Sequence, residues 1–354
     1  RSILGPYLSQ LGANAMLISI IAGFGEFLTY SLRLLSGYWV DKTKRYFLIT
    51  SLGYAINLLA IPLMSLATHW YGVAILIFLE RSGKAIRVPS RDAMLAHGGQ
   101  SIGLGWGFGL HQAIDRIGAM LGPLIVALVL YAHYSYRFAL GILLIPALLA
   151  LVVLYFAEHF YQKLKPCAVK KHLGGIKIDK KRFYRYVAAV SFIGAGYTDF
   201  PLMAYHLQTQ NILSPVGIPM IYAISVGSCT LFSPFLGYWF DKKGMPVLFV
   251  VNLICVLFAP LVFLGQFNLS IAGVMLWGLG TATQASLMRA VIAHIIPQDN
   301  LGFAYGVFNT CFGFFWFLGS AIMGALYLYS PHFLVMFSVI IQCLGLAILY
   351  FDFR

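Results

Sequence analysis

Residues 37–42 read GYWVDK, and residues 237–242 read GYWFDK. The two stretches share glycine, tyrosine, tryptophan, aspartate and lysine, although the whole chain contains only 6 tryptophans. A second pair, RDAMLAH at 91–97 and MRAVIAH at 288–294, repeats at nearly the same separation. Self-similarity at this distance predicts that the chain consists of two halves of similar design.

The composition identifies the class of protein. Hydrophobic residues make up 60% of the 354 residues, charged residues make up only 10%, and the mean hydropathy is +0.83. A soluble domain needs roughly a quarter of its residues charged, whereas a chain in lipid can expose apolar side chains. We therefore predict an integral membrane protein. Basic loops beside anionic lipid head groups explain the net charge of +13, so nucleic acid is not a predicted partner.

Long apolar stretches divide the chain into predicted membrane crossings. A hydrocarbon core about 30 Å thick needs about 20 residues of helix. The predicted crossings are 14–40, 46–68, 70–88, 101–131, 135–158, 183–206, 215–240, 246–266, 269–296, 301–329 and 331–351. These stretches lack the alternation of barrel strands, so the predicted fold is all-α. Residues 1–12 resemble the outer half of one further helix, and we expect the intact protein to have twelve crossings.

The basic residues predict the orientation and the domain boundaries. Of the 24 lysines and arginines, 19 lie at alternate connections or at the C-terminus, and these connections are predicted to be cytoplasmic. The expected location is the cytoplasmic (inner) membrane, with a cytoplasmic C-terminus. The basic stretch 159–182 contains proline and glycine and is the predicted linker. It would join an N-terminal helical bundle, 1–158, to a C-terminal bundle, 183–354.

The chain resembles the major facilitator superfamily of secondary transporters over essentially its whole length. After its second helix that family carries Gly-x-x-x-Asp-(Arg/Lys)-x-Gly, followed by basic residues. The two copies here are Gly37, Asp41 and Lys42, and Gly237, Asp241 and Lys242. The first copy lacks the later glycine, and the second lacks the basic tail. The resemblance implies two six-helix bundles that rock to give alternating access, with these residues in a gating contact.

Two further elements fit the resemblance in part. Arg81 is the nearest equivalent of a fourth-helix arginine in that family, although the following Gln-Gly is absent, and we group it with Arg91 and Asp92 as a predicted inner gate. Gly118, Gly122 and Pro123 match a Gly-x-x-x-Gly-Pro element found in many antiporters of the family. Small residues four apart also allow close packing of helices, which is the alternative interpretation.

Ionisable residues within the apolar stretches indicate the transport pathway. Each costs roughly 2.5–3.5 kcal/mol at a helix centre unless it is paired or faces water. The candidates for proton coupling and the substrate cavity are Glu26, Arg33, His111, Asp115, Arg116, Asp199 and His206. A carboxyl group in a medium of low dielectric constant can take up a proton near neutral pH, which favours Glu26 and Asp115. We expect Asp115 to be buried, whereas Arg33 and Arg116 are equally well explained as structural ion-pair partners.

These features predict a secondary transporter of a small solute, coupled to protons and working as an exporter. A uniporter of the same fold is one alternative, and a membrane sensor or enzyme that does not transport is another. No catalytic site, cofactor or metal site is predicted, because the histidines lack the spacing of metal ligands. The expected partners are the solute, protons and membrane lipids, and the expected state is a monomer.

The predicted orientation can be tested at Cys167, which lies in the linker. In a variant that retains only this cysteine, a membrane-impermeant thiol reagent should leave intact cells unlabelled and should label the protein after the cells are opened. The basic charge of the linker keeps it on the cytoplasmic side. Labelling of Cys167 from outside intact cells would contradict the orientation.

Overall fold

A computed structural model describes residues 2–43, 45–98, 104–161, 180–285, 287–288, 291–292 and 301–353. Its α-helices in chain order are α1 Leu4–Gln10, α2 Ala15–Thr43, α3 Tyr46–Leu63, α4 Trp70–Gly98, α5 Leu104–Tyr131, α6 Tyr136–Gly141, α7 Leu144–Tyr161, α8 Lys180–Ala195, α9 Phe200–Thr209, α10 Gly217–Lys243, α11 Met245–Cys255, α12 Phe258–Phe263, α13 Phe267–Ala285, α14 Leu301–Tyr329 and α15 Pro331–Phe353. The described residues contain no strand, and the all-α prediction is confirmed.

Within the described residues, nine helical segments are long and apolar enough to cross a membrane. They coincide with nine of the eleven predicted crossings, and α4 and α13 correspond to the other two. Helix α4 carries several ionisable residues, among them Glu80, Arg81 and Lys84, which lower its hydropathy. The end of α13 reads GLGTATQA and is rich in small and polar residues.

In the described part of the chain, three crossings are interrupted, and each break lies just before a proline. Proline has no N–H to donate to the carbonyl group four residues earlier. The breaks between α6 and α7, between α8 and α9, and between α11 and α12 contain the residues four before Pro146, Pro201 and Pro260. The predicted interruption at Pro201 is therefore observed, and it places Asp199 in the break.

The buried apolar residues form two separate cores. One core extends from Ile3 to Leu140, within α1 to α6. The other extends from Phe183 to Leu349, within α8 to α15, and adds Ala15 from α2. Tyr205 of α9 packs against both cores, and the division into bundles 1–158 and 183–354 stays a prediction. Residues 162–179 of the predicted linker lie outside the described residues.

The two halves meet closely along a seam between α2 and α14. A Cβ atom added to Gly324 would lie 2.5 Å from the Cβ atom of Ser19, and one added to Gly23 would lie 2.8 Å from that of Ser320. Phe27 continues the seam by packing against Phe314. At one end of the protein the connections carry few of the lysines and arginines described above. The contacts of the seam extend from that end to about the middle of α2. We call the opposite end, where α2 ends and α8 begins, the basic end.

The seam predicts that its glycines cannot be enlarged. Gly324→Leu should destabilise the protein by about 1–3 kcal/mol, because overpacking a tight contact displaces its neighbours. The measurement is the thermal unfolding midpoint of the purified protein in detergent. Gly118→Leu is the matched control, because no described atom lies within 4 Å of a Cβ atom added at Gly118. Equal losses in the two variants would show that the seam is not tightly packed.

Candidate functional site

A buried cluster of opposite charges joins α2 to α4. The Arg81 guanidinium places one nitrogen 3.4 Å from Glu26 Oε1 and another 3.2 Å from Glu80 Oε2. Arg81 is only 5% exposed and Glu26 only 8%. Buried charges are stable only when they are paired, so these three side chains hold one another in place. Gly25 allows this approach, because a Cβ atom there would lie 3.1 Å from Arg81 Cγ.

Asn57 of α3 adds a neutral donor to the cluster. Its Nδ2 atom donates one hydrogen bond of 2.9 Å to Glu80 Oε1 and another of 3.0 Å to the Glu80 carbonyl oxygen. Two glycines bring the helices close enough for this contact. A Cβ atom on Gly83 would lie 2.6 Å from the Asn57 nitrogen, and one on Gly53 would lie 2.8 Å from the Gly83 oxygen. The backbones of α3 and α4 therefore touch, and Asn57 fixes the position of the Glu80 carboxylate.

The structure thus places Arg81, which the sequence grouped with the gate, beside Glu26 instead. Arg33, on the same helix as Glu26, lies with its guanidinium carbon 5.5 Å from the centre of the Tyr30 ring. Sequence reasoning did not identify Asn57 as a site residue. Its only signal was an amide in the middle of an apolar crossing, where an unpaired polar group is costly.

Helix α5 contacts the other half through Arg116. The Arg116 Nη1 atom donates to the buried Cys229 Sγ of α10 at 3.3 Å. One turn further along, Met120 contacts Gly227, where an added Cβ atom would lie 3.5 Å from Met120 Cε. Arg116 therefore belongs to a contact between the halves.

The expectation that Asp115 is buried was wrong, because its side chain is exposed. Successive residues of a helix are turned by about 100°, so Asp115 points away from the α10 contact that Arg116 makes. It shares its face of α5 with Gly118 and Gly122, and no described atom lies within 4 Å of a Cβ atom added at either. No described residue packs against these two glycines, and their role in close helix packing stays a prediction. Pro123 is buried within the same helix.

A second group of charges lies towards the basic end of the N-terminal half. His111 is within electrostatic range of Arg87, Arg91, Asp92 and Asp115. Arg91 pairs with Asp92 at 2.8 Å. The guanidinium carbon of Arg87 lies 4.2 Å from the centre of the Tyr54 ring. Two residues of the predicted gate, Arg91 and Asp92, are therefore paired with each other.

The repeated motif is described only in part. Gly37 is close to Pro89 of α4, since a Cβ atom there would lie 3.9 Å from Pro89 Cβ. In the second copy, no described atom lies within 4 Å of a Cβ atom on Gly237, and Lys242 Nζ lies 4.4 Å from the Tyr238 ring centre. Lys42 is exposed in the last turn of α2. Asp41 and Asp241 belong to the last turns of α2 and α10, but their side chains lie outside the described residues.

Asp199 is held tightly in the break between α8 and α9. Its Oδ2 atom accepts hydrogen bonds from Trp316 Nε1 at 3.0 Å and from Ser320 Oγ at 3.1 Å. The neighbouring Thr198 carbonyl oxygen accepts one of 2.8 Å from Trp277 Nε1. Both Trp316 and Ser320 belong to α14, and Ser320 also lies against the seam. Asp199 therefore connects the broken crossing to the contact between the halves.

His206, like Asp199, is held by a side chain of α14, and it lies nearer the end of α9. It is buried, and its Nδ1 atom lies 2.9 Å from the Tyr327 hydroxyl oxygen.

Sequence reasoning missed Trp316 and Ser320 as partners of Asp199. The available signal was their spacing of one helical turn, which puts both on one face of α14. Among the described residues, no group of three or more His, Cys, Asp or Glu side chains could hold a metal ion.

Comparisons with known proteins agree with this architecture. The sequence profile of the Major Facilitator Superfamily (MFS) matches residues 1–319 and, in an overlapping second match, residues 186–354. An uncharacterized protein of Mycobacterium tuberculosis is 29% identical, over 99% of this chain and 87% of its own length. An uncharacterized MFS-type transporter of Methanocaldococcus jannaschii is 27% identical, over 98% of this chain and 89% of its own length.

A solved structure shares the fold. A mutant of the nucleoside transporter NupG superposes with a TM-score of 0.79 at 13% sequence identity, covering 100% of this chain and 94% of that chain. At this identity the likeness supports the fold alone. The family match over the whole chain shows that this chain belongs to the major facilitator superfamily and is a multi-pass membrane transporter.

Proposed function

We propose that this transporter couples the movement of a small solute to protons, and that Glu26 carries the proton. The observation that supports this is the approach of two carboxyl groups, from Glu26 and Glu80, to the single guanidinium of Arg81. Carboxylates close to one another disfavour a second negative charge, so one of them can take up a proton. The titration then belongs to the group as a whole.

The hydrogen bonds of the cluster suggest which carboxyl group is protonated. Asn57 donates to Glu80 and stabilises its charged form. A proton on Glu26 would end its ion pair with Arg81 and leave the guanidinium with Glu80. The proton therefore weakens the charge contact between α2 and α4 and leaves the contact between α3 and α4 intact.

This weakening has a route to the conformational change. Gly23, which packs against Ser320 in the seam, precedes Glu26 by less than one helical turn on α2. A single helix thus carries both the protonated group and the surface that holds the halves together. Rocking of two bundles around a central site is the motion expected of this fold. The gating roles of Asp41 and Asp241 remain predictions within this mechanism.

We further propose that the conformation is open towards the cytoplasm. The seam closes the end with the uncharged connections, and the positive-inside rule assigns the basic end to the cytoplasm. An inward-open state loads an exporter and unloads an importer alike, so the proposed export rests on the Gly118-to-Pro123 element, which resembles that of many antiporters of the family. A uniporter would move solute with no proton, and a sensor or enzyme would move no solute.

Glu26→Gln should abolish coupling and leave downhill transport of the solute. The amide keeps the size of the side chain and can still accept a hydrogen bond from Arg81, but it cannot release a proton. The protein is reconstituted with an internal pH-sensitive dye, and uridine, ethidium and glucose are tested as solutes. A transported solute should dissipate an imposed pH gradient with the parent protein and should fail to do so with the variant.

Glu158→Gln is the matched control, since Glu158 lies at the end of α7 and outside the cluster. It should behave as the parent does. Proton flux that persists in Glu26→Gln would remove Glu26 from the mechanism. Solute flux without proton movement in the parent would identify a uniporter.

Asp115→Asn should have a different effect. Because Asp115 is exposed, and no described atom lies within 4 Å of a Cβ atom added at Gly118 or Gly122 on the same face, we expect it to contact solute rather than to carry the coupled proton. The variant should raise or lower the KM of a transported solute by severalfold and should retain the accumulation ratio of the parent. Lost accumulation at unchanged KM would instead place the coupled proton at Asp115.

A further inference from the structure

We propose that the C-terminal half carries a binding site for an anionic phospholipid, in the groove between α8 and α15 at the basic end. The groove has a volume of about 540 Å³ and is lined by Arg185, Phe192, Leu344, Ala347, Ile348 and Phe351. It lies apart from the charge cluster of α2 and α4 and from the seam. One acyl chain of the lipid occupies the groove, and the phosphate group of the same lipid lies at Arg185.

The two walls of the groove cover the same depth of the membrane. On α8, Arg185 precedes Phe192 by seven residues, and on α15, Leu344 precedes Phe351 by seven residues, which is about 10 Å of helix. The helices run in opposite directions, so Arg185 lies near Phe351, at the basic end. Phe192 and Leu344 lie deeper in the membrane. The groove is therefore charged at the level of the head groups and apolar where acyl chains lie.

The charge at the mouth of the groove selects the lipid. Arg185 is exposed, and it is the charged residue among those that line the groove. Basic side chains between membrane helices on the cytoplasmic side attract anionic head groups. A guanidinium can also bind two oxygens of a phosphate at once. Zwitterionic lipids would gain the apolar contacts but would gain less from this charge.

A second groove on the other side of α15 provides an internal comparison. It has a volume of about 300 Å³, and the residues described as lining it are apolar or aromatic, with Phe249, Val250 and Leu349 among them. It can accept an acyl chain but offers no charged side chain within that lining. Preference for an anionic lipid should therefore depend on the first groove.

The test uses the full-length chain, purified in detergent and stripped of lipid. Native mass spectrometry measures binding of phosphatidylglycerol and of phosphatidylcholine with identical acyl chains. The parent should bind phosphatidylglycerol about fivefold more tightly, as expected for one basic residue at the membrane surface. Arg185→Gln should reduce this ratio to about one, and Arg185→Lys should retain most of it. Arg137→Gln, an exposed arginine at the opposite end, should leave the ratio unchanged.

Blocking each groove in turn separates the contribution of the acyl chain to binding from the contribution of the head-group charge. Ala347→Trp should weaken binding of both lipids by blocking the first groove, whereas Val250→Trp in the second groove should leave the fivefold ratio intact. Equal affinity of the parent for the two lipids would overturn the proposal, as would a ratio that survives Arg185→Gln. Glycerol 3-phosphate has the head group without acyl chains. If it displaced phosphatidylglycerol at equal concentration, the site would be one for free phosphate esters and not for a lipid.

Discussion

The absence of water in the bilayer core is the constraint on which the rest of this structure depends. Every backbone N–H and C=O group at that depth needs a partner within the protein. Continuous helices meet the requirement by themselves, and the break between α8 and α9 meets it with donors from other helices. The Gly196 carbonyl oxygen accepts from Ser338 Oγ at 2.7 Å, and the Thr198 oxygen accepts from Trp277. At this break, donors from α13 and α15 therefore take the place of the helical hydrogen bonds that are lost.

Close packing of small residues follows from the same constraint. Lipid is as apolar as leucine, so helices associate through backbone approach and polar contacts rather than through the hydrophobic effect. Gly53 and Gly83 let α3 meet α4, and Gly23 and Gly324 let α2 meet α14. The first contact brings Asn57 to Glu80. The second joins the two halves, so glycines determine both the geometry of the charge cluster and the closed end.

The sequence predicted the crossings well and the site only in part. Apolar length and proline positions are local properties, and they were sufficient for the helices and for the break at Pro201. Glu26 was recognised because an intramembrane carboxyl group is rare and costly. Its partner Arg81 lies 55 positions away, and no local pattern connects them. The burial of Asp115 was predicted wrongly for the same reason. A buried helix face and an exposed one can both carry small and polar residues, and only the packing of neighbouring helices distinguishes them.

Helix α2 combines the two roles that the proposed coupling must connect. It provides Glu26 to the ion pair with Arg81, and Ser19 and Gly23 to the seam with α14. Asp199 is linked to the same seam through Ser320, which donates a hydrogen bond to Asp199 and also lies against Gly23. A change of charge at Glu26 and a movement at the α8–α9 break therefore act on the same contact. Tightly packed contacts of this kind have discrete arrangements rather than continuous ones, so a small displacement of α2 can favour separation of the halves.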